Sequence, residues 1–112
     1  MGSNEQTETA KIHFSPEEER AYYISLRGQL IKLLYMIEKE QRGEGDVSLW
    51  FYGLMFDLAS ANTLCQNKLT KVVVKIHSLY DNNQYKTMTH AQIKRQIMES
   101  KGILDYLIGS QS

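Results

Sequence analysis

Apolar residues recur every three or four positions throughout residues 47–80, which is the period of one face of a helix. The segment contains no proline and a single glycine, Gly53. It is therefore predicted to form one long, continuous helix. The apolar stripe consists of Val47, Phe51, Leu54, Leu58, Ala61, Cys65, Leu69, Val72, Ile76 and Leu79.

Two features of this segment allow other structures. Ser60, Asn62 and Thr63 are residue types that cap helices, so a break near residues 59–62 would divide the long helix into two. Residues 72–74 are three successive valines, and their β-branched side chains lower helix propensity. The apolar stripe runs through these valines in phase, and no second β-rich segment offers a strand partner, so helix is the prediction there.

Capping patterns mark the start of the two other helices. Ser15, followed by Pro16 and Glu18, combines an N-cap, a proline suited to the first turn and a capping-box acid. Thr89 and Gln92 form the same kind of box for the last helix. Glycines supply natural helix ends. The predicted helices cover residues 16–42, 47–80 and 89–108.

These three helices predict an all-α protein. The expected arrangement is an antiparallel three-helix bundle with one long central helix, or a four-helix bundle if that helix breaks near residues 59–62. A chain of 112 residues is long enough for one such domain, which we place at residues 15–109. Residues 1–14 are predicted to be a mobile polar tail whose last few residues dock on the domain, and residues 110–112 form a short C-terminal tail.

The composition favours a soluble protein that associates with other proteins. Thirteen basic and thirteen acidic residues give a formal net charge of zero, whereas nucleic-acid-binding domains usually carry a basic excess. A net charge near zero also removes the self-repulsion that opposes association. Cys65 is the only cysteine, so no intrachain disulfide forms. The longest dense apolar run, residues 49–56, is too short to span a bilayer, and we expect a cytoplasmic protein without membrane attachment.

No pattern in the sequence predicts catalysis, a cofactor or a metal site. The three histidines and Cys65 lack the spacing of metal ligands, and Cys65 lies in phase with the apolar stripe, which predicts an inert core residue. Asp57 is set within an apolar run and is either the polar edge of its helix or a buried acid. The glycines form no phosphate-binding loop. We therefore expect a protein that is not an enzyme and binds no cofactor.

Basic residues form two groups, which suggest an alternative function. Lys68, Lys71 and Lys75 share one face of the long helix, and other basic residues cluster around the last helix. Such groups would suit a nucleic-acid-binding accessory or regulatory protein, but solvated helix faces are commonly rich in lysine, and the net charge of zero disfavours this function. The possible nucleic-acid contacts are Lys68, Lys71, Lys75, His90, Lys94 and Arg95.

The start of the long helix is apolar on every side, and the predicted helix lengths leave it uncovered. At a rise of ~1.5 Å per residue, the last helix is about 30 Å long and reaches back only to about residue 61. Residues 47–56 would then be covered on one side only, and an exposed apolar patch usually marks an interaction site. The sequence thus predicts a small protein–protein interaction module that forms a homodimer or docks on a protein partner. The predicted interface consists of Tyr35, Met36, Trp50, Phe51, Leu54 and Met55.

Overall fold

The computed structural model describes residues 13–111, so the predicted tail of residues 1–14 lies outside the described part except for its last two residues. A short 3-10 segment, Asp81–Thr87, joins the last two of four helices. No strand occurs between residues 13 and 111, and the three valines are helical, so the predicted all-α fold is confirmed. The helices are α1 (Pro16–Gln41), α2 (Ser48–Leu64), α3 (Thr70–Tyr80) and α4 (His90–Ser110).

The first and last helices, α1 and α4, pack against each other in opposite directions. Near the start of α1, the Arg20 guanidinium donates a hydrogen bond to the Ile108 carbonyl at 2.9 Å. Near its other end, Glu38 pairs with His90 at the start of α4, at 2.8 Å. The two helices therefore lie alongside each other over most of their length.

The middle helices, α2 and α3, complete the bundle. The Val47 N–H donates to the carboxylate of Glu40 at 3.0 Å, and the Phe14 N–H donates to the Leu64 carbonyl at 2.8 Å. These two hydrogen bonds tie the ends of α2 to α1 and the residue before it, whereas α3 packs against both α2 and α4. The fold is therefore the antiparallel four-helix bundle, and the three-helix alternative with one continuous central helix is wrong.

The break between α2 and α3 lies a few residues beyond the predicted range of 59–62. Gln66 and Asn67 have left-handed φ values of 56° and 64°, a conformation that a right-handed helix cannot contain. The side-chain oxygen of Asn62 accepts from the Leu69 N–H at 2.8 Å, and its carbonyl accepts from the Asn67 N–H at 2.8 Å. One of the capping residue types noted in the sequence therefore stabilises the break.

The apolar stripe of residues 47–80 continues through the break and fills the centre of the bundle. All of its members are buried, because the turn returns α3 with the same stripe facing inward. The predicted capping boxes at the N-terminal ends of α1 and α4 are both present. The core residues that these two helices supply are Tyr23, Leu26, Leu30, Leu33, Leu34, Ile37, Ile93, Ile97, Leu104 and Ile108.

Candidate interaction surfaces

Three residues of the predicted interface are buried inside the chain's own core. Phe51, Leu54 and Met55 are only 0%, 4% and 7% exposed. The Phe51 ring lies 5.0 Å from the ring of Tyr80 and 5.5 Å from that of Tyr85, so α3 and the segment after it cover this end of α2. The expectation that residues 47–56 are covered on one side only is therefore wrong, because it depended on a continuous helix.

The other three residues of the predicted interface lie nearer the surface. Trp50 is half-buried, and the Lys32 ammonium lies 5.3 Å from its ring centre, within the range of a cation–π contact. Tyr35 is exposed and has the Lys39 ammonium at 5.5 Å from its ring centre. Met36 is half-buried against the core. Since both aromatic rings lie beside lysines, this region is amphipathic rather than purely apolar.

A different apolar stripe on α2 faces solvent. We call it the outer face of α2 and define it as Leu49, Tyr52 and Phe56, whose exposed fractions are 83%, 57% and 69%. Residues three and four positions apart share one side of a helix. Asp57 is the only charged residue among the 17 residues of α2. Because the solvent side of a surface helix normally carries charged residues, the composition of α2 marks this face as a candidate interaction surface.

The lysine group predicted from the sequence lies along a groove between α3 and α4. Lys68, Lys71 and Lys75 all line this groove, which has a volume of about 1060 Å³. Lys75 pairs with Glu99 at 3.0 Å, and Lys68 pairs with Glu19 at 2.9 Å. The three lysines thus remain on one surface even though the helix that was expected to carry them is interrupted.

The other residues of the possible nucleic-acid contact are not part of this lysine group. The His90 Nε2 lies 2.8 Å from a carboxylate oxygen of Glu38 on α1, away from the groove between α3 and α4. Arg95 lines a separate, smaller groove of about 530 Å³ together with residues of the segment after α3. Lys94 is exposed and lines neither groove. The six predicted residues are therefore divided between separate parts of the surface.

The candidate chemical groups occupy unreactive positions. Cys65 is fully buried, as its place in the apolar stripe predicts. Burial raises the pKa of its thiol to about 11, and the Glu19 carboxylate acts in the same direction, so little of the nucleophilic thiolate exists at neutral pH. Asp57 is exposed and forms the polar edge of its helix. Within residues 13–111, no group of three or more histidine, cysteine or acidic side chains is placed to hold a metal ion, and no helix has the length and apolar composition to cross a bilayer.

Comparison of the chain with protein-family models, with curated proteins and with solved structures finds no match. Function is therefore inferred from the two surfaces described above. The outer face of α2 is apolar and uncharged, whereas the groove between α3 and α4 is edged with lysines.

Proposed function

We propose that the chain is a small, non-enzymatic protein–protein interaction module that forms a homodimer through the outer face of α2. The observation that carries this proposal is the exposed stripe of Leu49, Tyr52 and Phe56 on a helix with a single charged residue. Aromatic residues are enriched in protein interfaces, and charged residues are depleted at their centres. The unpaired cysteine fits a reducing compartment, which supports the cytoplasm as the proposed location.

The chemistry of the outer face of α2 favours a second copy of the chain as its partner. A twofold axis brings identical patches together, and an uncharged apolar patch is complementary to itself, whereas identical charges would repel each other. The formal net charge of zero adds no long-range repulsion. Gly53 lies beside the stripe, and apart from its chain neighbours and the backbone of α2 itself, no atom of residues 13–111 lies within 4 Å of the position that a Cβ would occupy there. A partner helix therefore has room to approach the α2 backbone closely.

The size of the outer face of α2 sets the strength expected of the dimer. Its three side chains expose roughly 400 Å², given ~150–250 Å² for a large side chain. A standard interface takes about 800 Å² from each partner, so neighbouring residues must supply the other half. The ring of half-buried Tyr80 lies 6.4 Å from that of Tyr52, so Tyr80 extends the outer face of α2 toward α3. With contributions of this kind we expect a dissociation constant on the order of 1–100 μM.

Light scattering over a range of protein concentrations tests the proposal. We expect the native chain to approach twice its monomer mass as its concentration rises. Phe56→Asp should remain monomeric, because a carboxylate in the middle of an apolar interface would be buried without a partner. Tyr106→Asp is the matched control, since Tyr106 is a comparably exposed aromatic residue on α4, at 73%, and this variant should dimerise like the native chain.

Circular dichroism of both variants checks that the helices are retained. A native chain that stays monomeric at every concentration would contradict the proposal. So would a folded Phe56→Asp chain that still dimerises, because the interface would then lie elsewhere.

A further inference from the structure

The groove between α3 and α4 has two chemically different walls. We call the wall along α3 and the preceding turn the lysine wall, and the wall along α4 the apolar wall. Tyr106 stands out from the apolar wall because it is 73% exposed. Glu99 is the only acid among the described residues that line the groove, and it lies 3.0 Å from Lys75. The lysine wall consists of Lys68, Lys71 and Lys75, and the apolar wall of Gly102, Ile103, Tyr106 and Leu107.

Two members of the lysine wall are available to a partner. Lys71 is exposed and forms no ion pair with any residue that the structure describes. The Lys75 pair with Glu99 joins side chains that are 31% and 49% exposed, so it contributes little and exchanges readily. Lys68 is instead held by Glu19, whose side chain is only 8% exposed. A partner therefore meets two lysines spaced about one helical turn apart, with Cβ atoms roughly 6 Å from each other.

We propose that this groove binds an acidic amphipathic helix of another protein. Two packed helices leave a groove that accepts a third helix at an axial distance of ~8–10 Å, and grooves of this kind hold a helix by its apolar face. The apolar stripe of the incoming helix lies on the apolar wall. Glutamates four residues apart on one flank meet Lys71 and Lys75. Apart from the backbone of α4 and the chain neighbours of Gly102, no described atom lies within 4 Å of its Cβ position, so the incoming helix has room to approach α4 closely.

The same observations disfavour a nucleic acid in this groove. Phosphate binding draws on several cations along the path of the backbone, whereas only Lys71 and Lys75 of the lysine wall are available, because Lys68 is held by Glu19. Tyr106 is the only aromatic residue in the lining, so successive bases lack a stacking platform. The formal net charge of zero provides no general attraction for a polyanion.

Fluorescence anisotropy with designed probes tests the proposal. The first probe is a labelled peptide of about 18 residues, roughly 27 Å long as a helix, with leucine along one stripe and glutamate along one flank. The second peptide carries lysine in place of each glutamate. The third probe is single-stranded oligothymidine of about 20 nucleotides. We expect only the glutamate peptide to bind, with an affinity that falls several-fold at high salt.

Charge-reversal variants locate the binding site. Lys71→Glu should weaken binding of the glutamate peptide about tenfold. Lys94→Glu makes the same charge change at an exposed lysine outside the groove and should bind like the native chain. Phe56→Asp should also bind normally, which separates this site from the outer face of α2 and makes the two proposals fail independently.

Several results would overturn the proposal. These are no binding of the glutamate peptide at millimolar concentration, equal binding of the lysine peptide, and preferential binding of oligothymidine. An unaffected Lys71→Glu variant or a loss of peptide binding in Phe56→Asp would also overturn it, because the peptide would then bind at another surface.

Discussion

At the scale of single residues, Asn62 stabilises the break between α2 and α3. The apolar stripe is in phase on both sides of the break, so the pattern alone favours a continuous helix. Gln66 and Asn67 instead adopt left-handed conformations, as do Asn82 and Asn83 after α3. Asparagine tolerates this conformation better than most residues. The Asn62 side chain compensates by binding a backbone N–H seven residues further along the chain, and a contact at that separation is not visible as a local sequence pattern.

Two buried tyrosines differ in how their hydroxyl groups are bonded. The Tyr23 hydroxyl donates to the Glu19 carboxylate at 2.7 Å. The same carboxylate also accepts a hydrogen bond from Lys68 at 2.9 Å. Tyr85 is 1% exposed, and its hydroxyl makes no hydrogen bond of standard geometry within residues 13–111, although the Glu40 carboxylate lies close enough to interact with it. Burial, assisted by the nearby Glu40 carboxylate, raises the pKa of Tyr85 to about 12. Both hydroxyls are therefore protonated at neutral pH, but only one of them stabilises the fold through a hydrogen bond.

Removing these two hydroxyls should have different effects on stability. Tyr23→Phe should lower the free energy of unfolding by about 1–2 kcal/mol, because a hydrogen bond to a buried carboxylate is lost. Tyr85→Phe should leave it unchanged or raise it by up to ~1 kcal/mol, because an unbonded polar group is removed from the core. Urea unfolding followed by circular dichroism measures both values. Equal destabilisation of the two variants would show that the Tyr85 hydroxyl is bonded in solution.

At the scale of helices, the ends of α1 and α4 were predictable because local chemistry marks them. Ser15 and Thr89 are the N-caps, and both capping boxes form as the sequence predicts. The predicted ranges of 16–42 and 89–108 differ from the observed helices by no more than two residues at either end. The end of α2 could not be placed in the same way, because it depends on the Asn62 turn rather than on a capping box.

The two faces of α2 show why three of the six residues of the predicted interface are buried in the core. Phe51 and Leu54 are buried, so Leu49, Tyr52 and Phe56 lie on the opposite, exposed side of the helix. The error was to treat the apolar run of residues 49–56 as one exposed patch. Because α3 covers one side of this run, the run has a buried inner face and an exposed outer face. The chain places α3 there only because the helix breaks after α2.

The contact between α1 and α4 contains an ion-pair network that should respond to pH. Arg27 donates to one oxygen of the Asp105 carboxylate at 2.9 Å, and Lys101 lies 3.0 Å from the other oxygen. Hydrogen bonding to Arg27, and then to Lys101, holds the pKa of Asp105 below its usual value. Such a carboxyl stabilises the fold above its unfolded pKa of ~3.9 and loses this contribution as the pH falls through the lower folded value.

Asp105→Asn should therefore have a small, pH-dependent effect on stability. Near neutral pH the free energy of unfolding should fall by no more than ~1 kcal/mol, because both side chains of the Arg27 pair are at least 36% exposed. The difference from the native chain should shrink below about pH 4 and vanish once Asp105 is protonated. Denaturant titrations across this pH range measure the difference. A destabilisation that persists in full after protonation would show that the asparagine disturbs packing instead.

At the scale of the whole molecule, the packing of the four helices leaves an apolar excess on one side. The contact between α1 and α4 is crossed by polar contacts such as the Arg27–Asp105 ion pair and the contact between His90 and Glu38. On α2, in contrast, Asp57 is the only charged residue, and the helix is apolar both toward the core and toward solvent. Burial of the inner apolar residues already stabilises the monomer. Only the outer residues are still in contact with water, so only their burial by a partner would lower the free energy further.

Dimerisation through the outer face of α2 should make thermal stability depend on protein concentration. Association stabilises only the folded chain, so the midpoint of unfolding should rise by about 5 °C for a hundredfold increase above the dissociation constant. Phe56→Asp should unfold at the same temperature at every concentration, and at low concentration it should match the native chain, because this side chain is 69% exposed.

Phe51→Ala provides the contrast from the inner face of the same helix. Phe51 is 0% exposed, so its truncation should cost about 3–5 kcal/mol and lower the midpoint at every concentration. Differential scanning fluorimetry over a dilution series measures all three chains. If Phe56→Asp were destabilised at low concentration as strongly as Phe51→Ala, Phe56 would belong to the fold of the monomer. If the midpoint of the native chain rises with concentration and that of Phe56→Asp alone does not, Phe56 belongs to the interface. The substitution would then have removed association and not folding stability.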